Sequence, residues 1–244
     1  MNTTVAFLAQ TLAIFMGFFT RVVFTRTLSE GYVGINGLFT DILNILSLSE
    51  LGVGTAITYA LYAPIARRDI KKQQILMRMF RNFYRITAGF VLLAGLCLIP
   101  FLDILMKDRP DVNHLIIIYL LYLLNSVVSY LLIYKKTLVD AHQMNYITVM
   151  YHNGFLVLQD ILQIMVLFLT RNFILFLVIA VVCTIIGNIC MSRKADRLFP
   201  YLKEPCKEQL PQEERHDILR NVKAMLMHKI GNVVVNNTDN LLIS

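Results

Sequence analysis

Apolar residues along this chain fall in long blocks parted by short polar stretches, and each block predicts a helix. The first, Thr4 to Thr25, is broken only by Gln10 and Arg21, and has the length of a membrane span. The second, Val33 to Ile65, is so long that it must tilt, kink at the Gly52/Gly54 pair, or project beyond a bilayer. Further helices are predicted over Tyr84 to Met106, Leu115 to Tyr134 and Tyr146 to Leu169. A tight "TRN" turn then leads into Phe173 to Met191. A polar segment follows, and a last apolar stretch runs from Ala224 to Ser244.

Composition agrees with the blocks. Of the 244 residues 57% are hydrophobic and only 16% charged, with a mean hydropathy of +0.60. Soluble domains are near half apolar and a quarter charged. The pattern therefore predicts an all-α polytopic membrane protein, because backbone exposed to lipid must satisfy its own hydrogen bonds. The N-terminus has no basic region and the first block no small-residue cleavage site, so the first span is expected to be retained. Cys97, Cys183 and Cys190 lie in apolar segments and Cys206 in a polar one, without metal-like spacing; they read as small hydrophobes.

The net charge of +7 would fit a nucleic-acid binder, but its placement argues against one. Basic residues crowd one set of connections: Arg67 to Arg81, Lys135 and Lys136, and Arg193 to Lys223. The opposite set holds Arg26, Lys107, Arg109 and Arg171. By the positive-inside rule the rich side and the N-terminus are cytoplasmic. The same residues also suit acidic lipid headgroups.

Three regions result: 1–192, a six-helix transmembrane bundle; 193–223, a cytoplasmic linker; and 224–244, the first helix of a second bundle, truncated here. Within the linker, "LPQEERHDILRNVKAM" has Pro211, Glu213 and Glu214 at one end and Arg220 and Lys223 at the other, as a helix dipole favours. Ile218, Val222 and Met225 share a side, so the segment reads as an amphipathic interfacial helix or as a solvated connector.

Polar side chains at membrane depth carry the functional question, because they are costly in lipid and usually face a cavity or a partner. Arg21 lies about 25 Å along the first helix from Thr4, where it either snorkels to headgroups or serves a cavity. Arg26 lies at the outer rim. Glu50 falls near mid-bilayer, and Asn36, Thr40, Ser47, Glu50, Gly54 and Thr58 share a broad face, with Asp41 pointing away near the outer end. The fifth helix places Asn153, Asp160 and Gln163 on one face, with Gln159 to the side. The fourth adds Asn125, Ser126 and Ser129, and the last stretch has Lys229, Asn232, Asn236 and Asp239 at spacings of three and four. For the amides and hydroxyls an interhelical hydrogen bond is the bland alternative. No P-loop, GxSxG, HExxH or metal-spaced acidic pair occurs, and His114, His142, His152, His216 and His228 are scattered, so no enzyme, cofactor or metal is expected.

The runs "RVVFTRTLSEGYVGINGLFTDILNILSLSELGVGTAI" (21–57) and "YALYAPIARRD" (59–69) resemble the N-terminal signature of bacterial polysaccharide-biosynthesis membrane proteins. These are the oligosaccharide flippases of the multidrug/oligosaccharidyl-lipid/polysaccharide exporter superfamily. "LNSVVSY", "RKADRLFPYL" and "HKIGNVVVNNTDNLLIS" fit the same pattern. The resemblance implies a MATE-like, V-shaped fold of two six-helix bundles around a central cavity, of which this chain supplies the first bundle and the first helix of the second. It implies transport of undecaprenyl-pyrophosphate-linked oligosaccharide across the inner membrane by alternating access, with H⁺ or Na⁺ as a coupling ion. Membrane lipids, the polysaccharide polymerase and other export-machinery proteins are the implied partners. Similar lipid-linked flippases have cavity-facing arginines. On that basis Arg21 and Arg26 are expected to engage the pyrophosphate or sugar through planar, bidentate donors. Asp41, Glu50 and Asp160 would pair with it or switch the bundle, and Asn125, Gln163, Asn236 and Asp239 complete the substrate-binding set.

Other functions remain open at this level. An ion-coupled multidrug antiporter of the same superfamily would use Glu50 or Asp160 for exchange. A membrane glycosyltransferase or polymerase would need a large outer loop or nucleotide-sugar domain, and a truncated, non-transporting subunit would need neither.

Overall fold

The computed structural model describes residues 2–47, 53–102, 112 and 114–204, and, within the linker, 210–214, 216–218, 220, 221, 223, 224 and 227. Among the described residues the secondary structure is helical: α1 (Asn2–Thr27), α2 (Glu30–Ser47), α3 (Val53–Ala66), α4 (Ile70–Leu98), α5 (Leu115–Leu131), α6 (Ile133–Ala141), α7 (Asn145–Thr170) and α8 (Phe173–Leu198). Four of these, α1, α4, α7 and α8, are long and apolar enough to cross a membrane, and α5 with α6 makes a fifth when taken as one bent span. The architecture is that of a helical membrane protein.

The helix ends follow from local chemistry. Asp69 caps α4 by accepting the Lys72 amide at 2.9 Å, so α4 starts at Ile70 and not near Tyr84. Its first turns interleave basic residues with the buried Leu76, Met77, Phe80 and Tyr84, a helical spacing that carries the helix through the charged stretch. The "TRN" turn forms as expected. Arg171 takes the left-handed conformation that ends α7, and Asn172 Oδ1 accepts the amides of Ile174 and Leu175 to start α8.

Three expected boundaries change. The second predicted helix is two elements, α2 and α3; Gly52, and with it the expected kink, lies outside the described residues. The fourth breaks at Leu132 with a 42° bend, because α6 turns to bury Leu138 and Val139 and to bring Lys135 onto α8. The sixth continues past Met191 to Leu198, since Ser192 and Ala195 are buried and Asp196 meets Lys135 there.

α1 packs along α7, α7 along α8, α8 along α5, and α5 along α4; α2 leans on α5 and α4, and α3 on α6 and α4. The pairs Gln10–Asn153 and Thr20–Asp160 show that α1 and α7 run parallel. At the end where α1 meets α2 and α7 meets α8, the rings of Phe24, Tyr32, Phe39, Tyr119, Tyr122 and Phe173 form a chain of contacts 5.1–6.5 Å between centroids. This cluster joins α1, α2, α5 and α8 and fills the end opposite the basic residues.

The basic end is tied by polar contacts. Tyr201 donates to Gln73 Oε1 at 2.6 Å, Gln73 donates to the Pro64 carbonyl, and Gln74 donates to the Tyr201 carbonyl at 2.6 Å. Burial pushes the Tyr201 phenol up to about 12, so it remains a donor. Residues of the linker between 212 and 227 that are described are helical; Ile218 packs on the core and Glu214 meets Lys72 at 2.8 Å, so this segment is a docked helix and not a solvated connector.

His142, in the turn between α6 and α7, stacks on Phe199 at 4.3 Å, and its Nε2 is buried with no hydrogen-bond partner among the described residues. Burial holds its pKa below the ordinary 6.5. A depressed histidine pKa means the folded state prefers the neutral ring, so its contribution is full above about 6.5 and is lost as pH falls through the lower, folded value. The melting temperature in detergent should therefore drop between about pH 7 and pH 5, and less so in His142→Phe, which keeps the stack without a titrating nitrogen.

Candidate functional site

Between α5, α6, α7 and α8 lies a cavity of about 260 Å³. It exists because α5 and α7 both pack on α8 but diverge from each other, and because the bend at Leu132 swings α6 across the gap. Thr148, His152, Phe155 and Gln159 recur at spacings of three and four on α7 and form one wall; Thr184, Gly187 and Asn188 of α8 form the floor. Gly187 has a packing reason, since a Cβ there would stand 3.1 Å from Phe155 Cγ. Asn125 and Ser129 line the α5 side, and Lys136 stands on α6. Lys136, Thr148 and His152 lie toward the basic end, with Asn125 deeper.

Asn125 Oδ1 is buried in this setting without a hydrogen-bond partner among the described residues. The lining contains Lys136 and His152 and no carboxylate. Asp140, near Lys136, is partly buried behind the lining and accepts the Thr148 hydroxyl at 2.6 Å. Among the described residues no three His, Cys, Asp or Glu side chains gather as a metal site would need.

Of the residues singled out from sequence, Asn125 and Ser129 line this cavity. Gln163 does not: it is buried, and its amide nitrogen donates to the Phe176 carbonyl at 3.0 Å in the α7–α8 seam. The physical reason is helical drift, since ten residues separate Gln163 from Asn153 and turn it by about 80° toward α8. Asn153 is buried in the α1–α7 seam and donates to Gln10 Oε1 at 2.8 Å. Asp160 is half-buried in the same seam. The Thr20 hydroxyl lies within hydrogen-bond reach of it, and a Cβ added to Gly17 would stand 4.0 Å from Asp160 Oδ2.

Arg21 is exposed, yet its guanidinium lies within electrostatic range of the Tyr122 hydroxyl, which in turn donates to Asn36 Oδ1. Arg21 thus stands beside the polar pair that bridges α2 and α5, at the edge of the aromatic cluster to which Tyr122 belongs. Arg26 is exposed in the last turn of α1, where a cation complements the helix dipole. Asp41 is exposed on α2, and among the described residues neither it nor Arg21 forms a salt bridge, so the expected pairing of Arg21 with Asp41 or Asp160 is not made. Glu50, Asn236 and Asp239 lie outside the described residues.

Sequence reading passed over Lys136, His152 and Asn188 and set Gln159 aside. The signal was present in the α7 spacing 148/152/155/159 matched by 184 and 188 on α8, but histidine and glutamine on that stripe read as isolated. No protein-family model matches the chain, and no curated protein or solved structure is significantly similar to it.

Proposed function

We propose that the chain is the N-terminal lobe of a flippase that carries undecaprenyl-pyrophosphate-linked oligosaccharide across the bacterial inner membrane for surface polysaccharide assembly. A second bundle completes a V-shaped, MATE-like transporter around it. The observation that carries this reading is the cavity between α5, α6, α7 and α8, which places amides, hydroxyls, Lys136 and His152 among apolar walls within a bundle of span-length helices and reaches toward the basic end. With the basic end cytoplasmic, that arrangement suits loading from the cytoplasmic side. Arg21 then waits at the edge of the aromatic cluster, where a planar guanidinium receives the pyrophosphate on its way outward. A carboxylate-driven antiporter is less well supported, because among the described residues no acid lines the cavity and Asp160 sits in the α1–α7 seam.

The test is surface glycan display by cells carrying variants in the intact gene. Arg21→Ala is expected to abolish display, and Arg21→Lys, which keeps the charge but not the bidentate fork, to restore part of it. Full display by both variants at normal abundance returns Arg21 to a lipid-facing role and removes the main support for the reading.

A further inference from the structure

The cavity presents both unused acceptors and unused donors. The amide nitrogen of Asn188 is committed to the Val128 carbonyl at 3.1 Å, and that of Gln159 to Gln163 Oε1 at 3.4 Å. Ser129 donates to the Ser126 carbonyl at 2.7 Å and Thr148 to Asp140. What these four groups leave over is chiefly oxygen lone pairs, Asn125 Oδ1 has no partner among the described residues, and Lys136 and His152 supply donors beside them, a pairing of needs that a hydroxyl, which both donates and accepts, can meet. A buried acceptor without a donor is costly, so the site is completed by an occupant that donates.

Three observations narrow the occupant. Lys136 and His152 line the hollow and no carboxylate does, which opposes a metal cation or an ammonium ion. The rings of Tyr151 and Phe155 add apolar faces beside the amide oxygens, a mixture that water alone does not use. A volume of about 260 Å³ is below that of pockets for drug-sized molecules, about 300–1,000 Å³, and limits the occupant to one small ring.

We infer that this cavity is a saccharide subsite, which takes a single sugar ring through hydroxyl donors to Asn125 Oδ1 and its neighbouring amide oxygens, with the C–H face of the ring against Phe155 and Tyr151. The inference rests on the transport reading for where the sugar comes from, but the cavity chemistry stands without it.

The test uses the full chain in lipid nanodiscs, with N-acetylglucosamine, galactose and glucuronate as probes in saturation-transfer NMR and radioactive Na⁺ as a competing probe. At least one sugar should bind saturably. Asn125→Leu should weaken it by about tenfold or more, and Gln159→Leu should weaken it as well. Thr25→Val, on an exposed face of α1, a helix that does not line the cavity, should bind normally. Melting curves confirm that each variant is folded. No saturable sugar binding to the folded chain overturns the inference, as does sugar binding indifferent to Asn125 and Gln159, or Na⁺ binding that Asn125→Leu removes. The two readings fail separately. Lost glycan display in Arg21→Ala without any sugar binding leaves transport standing and the subsite fallen, and sugar binding with full display in that variant does the reverse.

Discussion

Asp196→Ala destabilises the folded bundle by about 2–3 kcal/mol, seen as a lower melting temperature in detergent. Asp196 Oδ2 receives Lys135 Nζ at 2.7 Å, and the two side chains are only 21% and 15% exposed. The same lysine donates to Ser192 at 2.8 Å. Removing the acid leaves a partly buried ammonium ion with one neutral partner, and the penalty for an uncompensated charge exceeds the value of an exposed ion pair, about 0–1 kcal/mol. Residual exposure keeps the loss below the largest values for fully buried pairs. The double variant Lys135→Met, Asp196→Leu should recover most of the stability, because an apolar pair leaves no uncompensated charge in the half-buried site. A double variant as unstable as Asp196→Ala would show that the pair contributes shape and not charge.

The pair also explains why part of the fold was legible in sequence and part was not. The order of the helices follows from the apolar blocks, because each block answers to its own hydrophobicity. The "TRN" turn was legible because Asn172 acts on amides two and three residues away. Lys135 was counted only as a loop charge, since nothing local shows that a bend at Leu132 will aim it at a residue of α8. Polar residues on α7 behaved likewise. Their stripe was visible, but Asn153 and Asp160 turn to α1 and Gln163 to α8, and a few tens of degrees of drift decide which. The cavity residues were the least legible, because a hollow is defined by helices that diverge.

Gly95→Val lowers the melting temperature by an amount equivalent to about 2 kcal/mol, and weakens the cavity as well. At Gly95 α4 and α5 are in tight contact. A Cβ there would lie 2.3 Å from Leu123 Cδ1 and 2.9 Å from Cδ2, and Tyr119 donates to the Gly95 carbonyl at 2.7 Å across the same contact. Leu123 is 1% exposed and has no free space to rotate into. Alanine would gain up to about 1 kcal/mol of helix propensity over glycine, but an approach of 2.3 Å forces a rearrangement that outweighs it. Gly95→Ala is therefore mildly destabilising and Gly95→Val strongly so. Adding Leu123→Ala to Gly95→Val should restore part of the loss by opening room for the new methyls. Asn125 follows Leu123 by two residues on the opposite side of α5, so a wedge at Gly95 that pushes α5 off α4 also shifts Asn125 relative to α7 and α8. Weaker sugar binding in Gly95→Val than in a variant equally destabilised at a distant position would tie the α4–α5 contact to the geometry of the cavity. Unchanged stability in Gly95→Val would mean that α4 and α5 do not meet at this glycine.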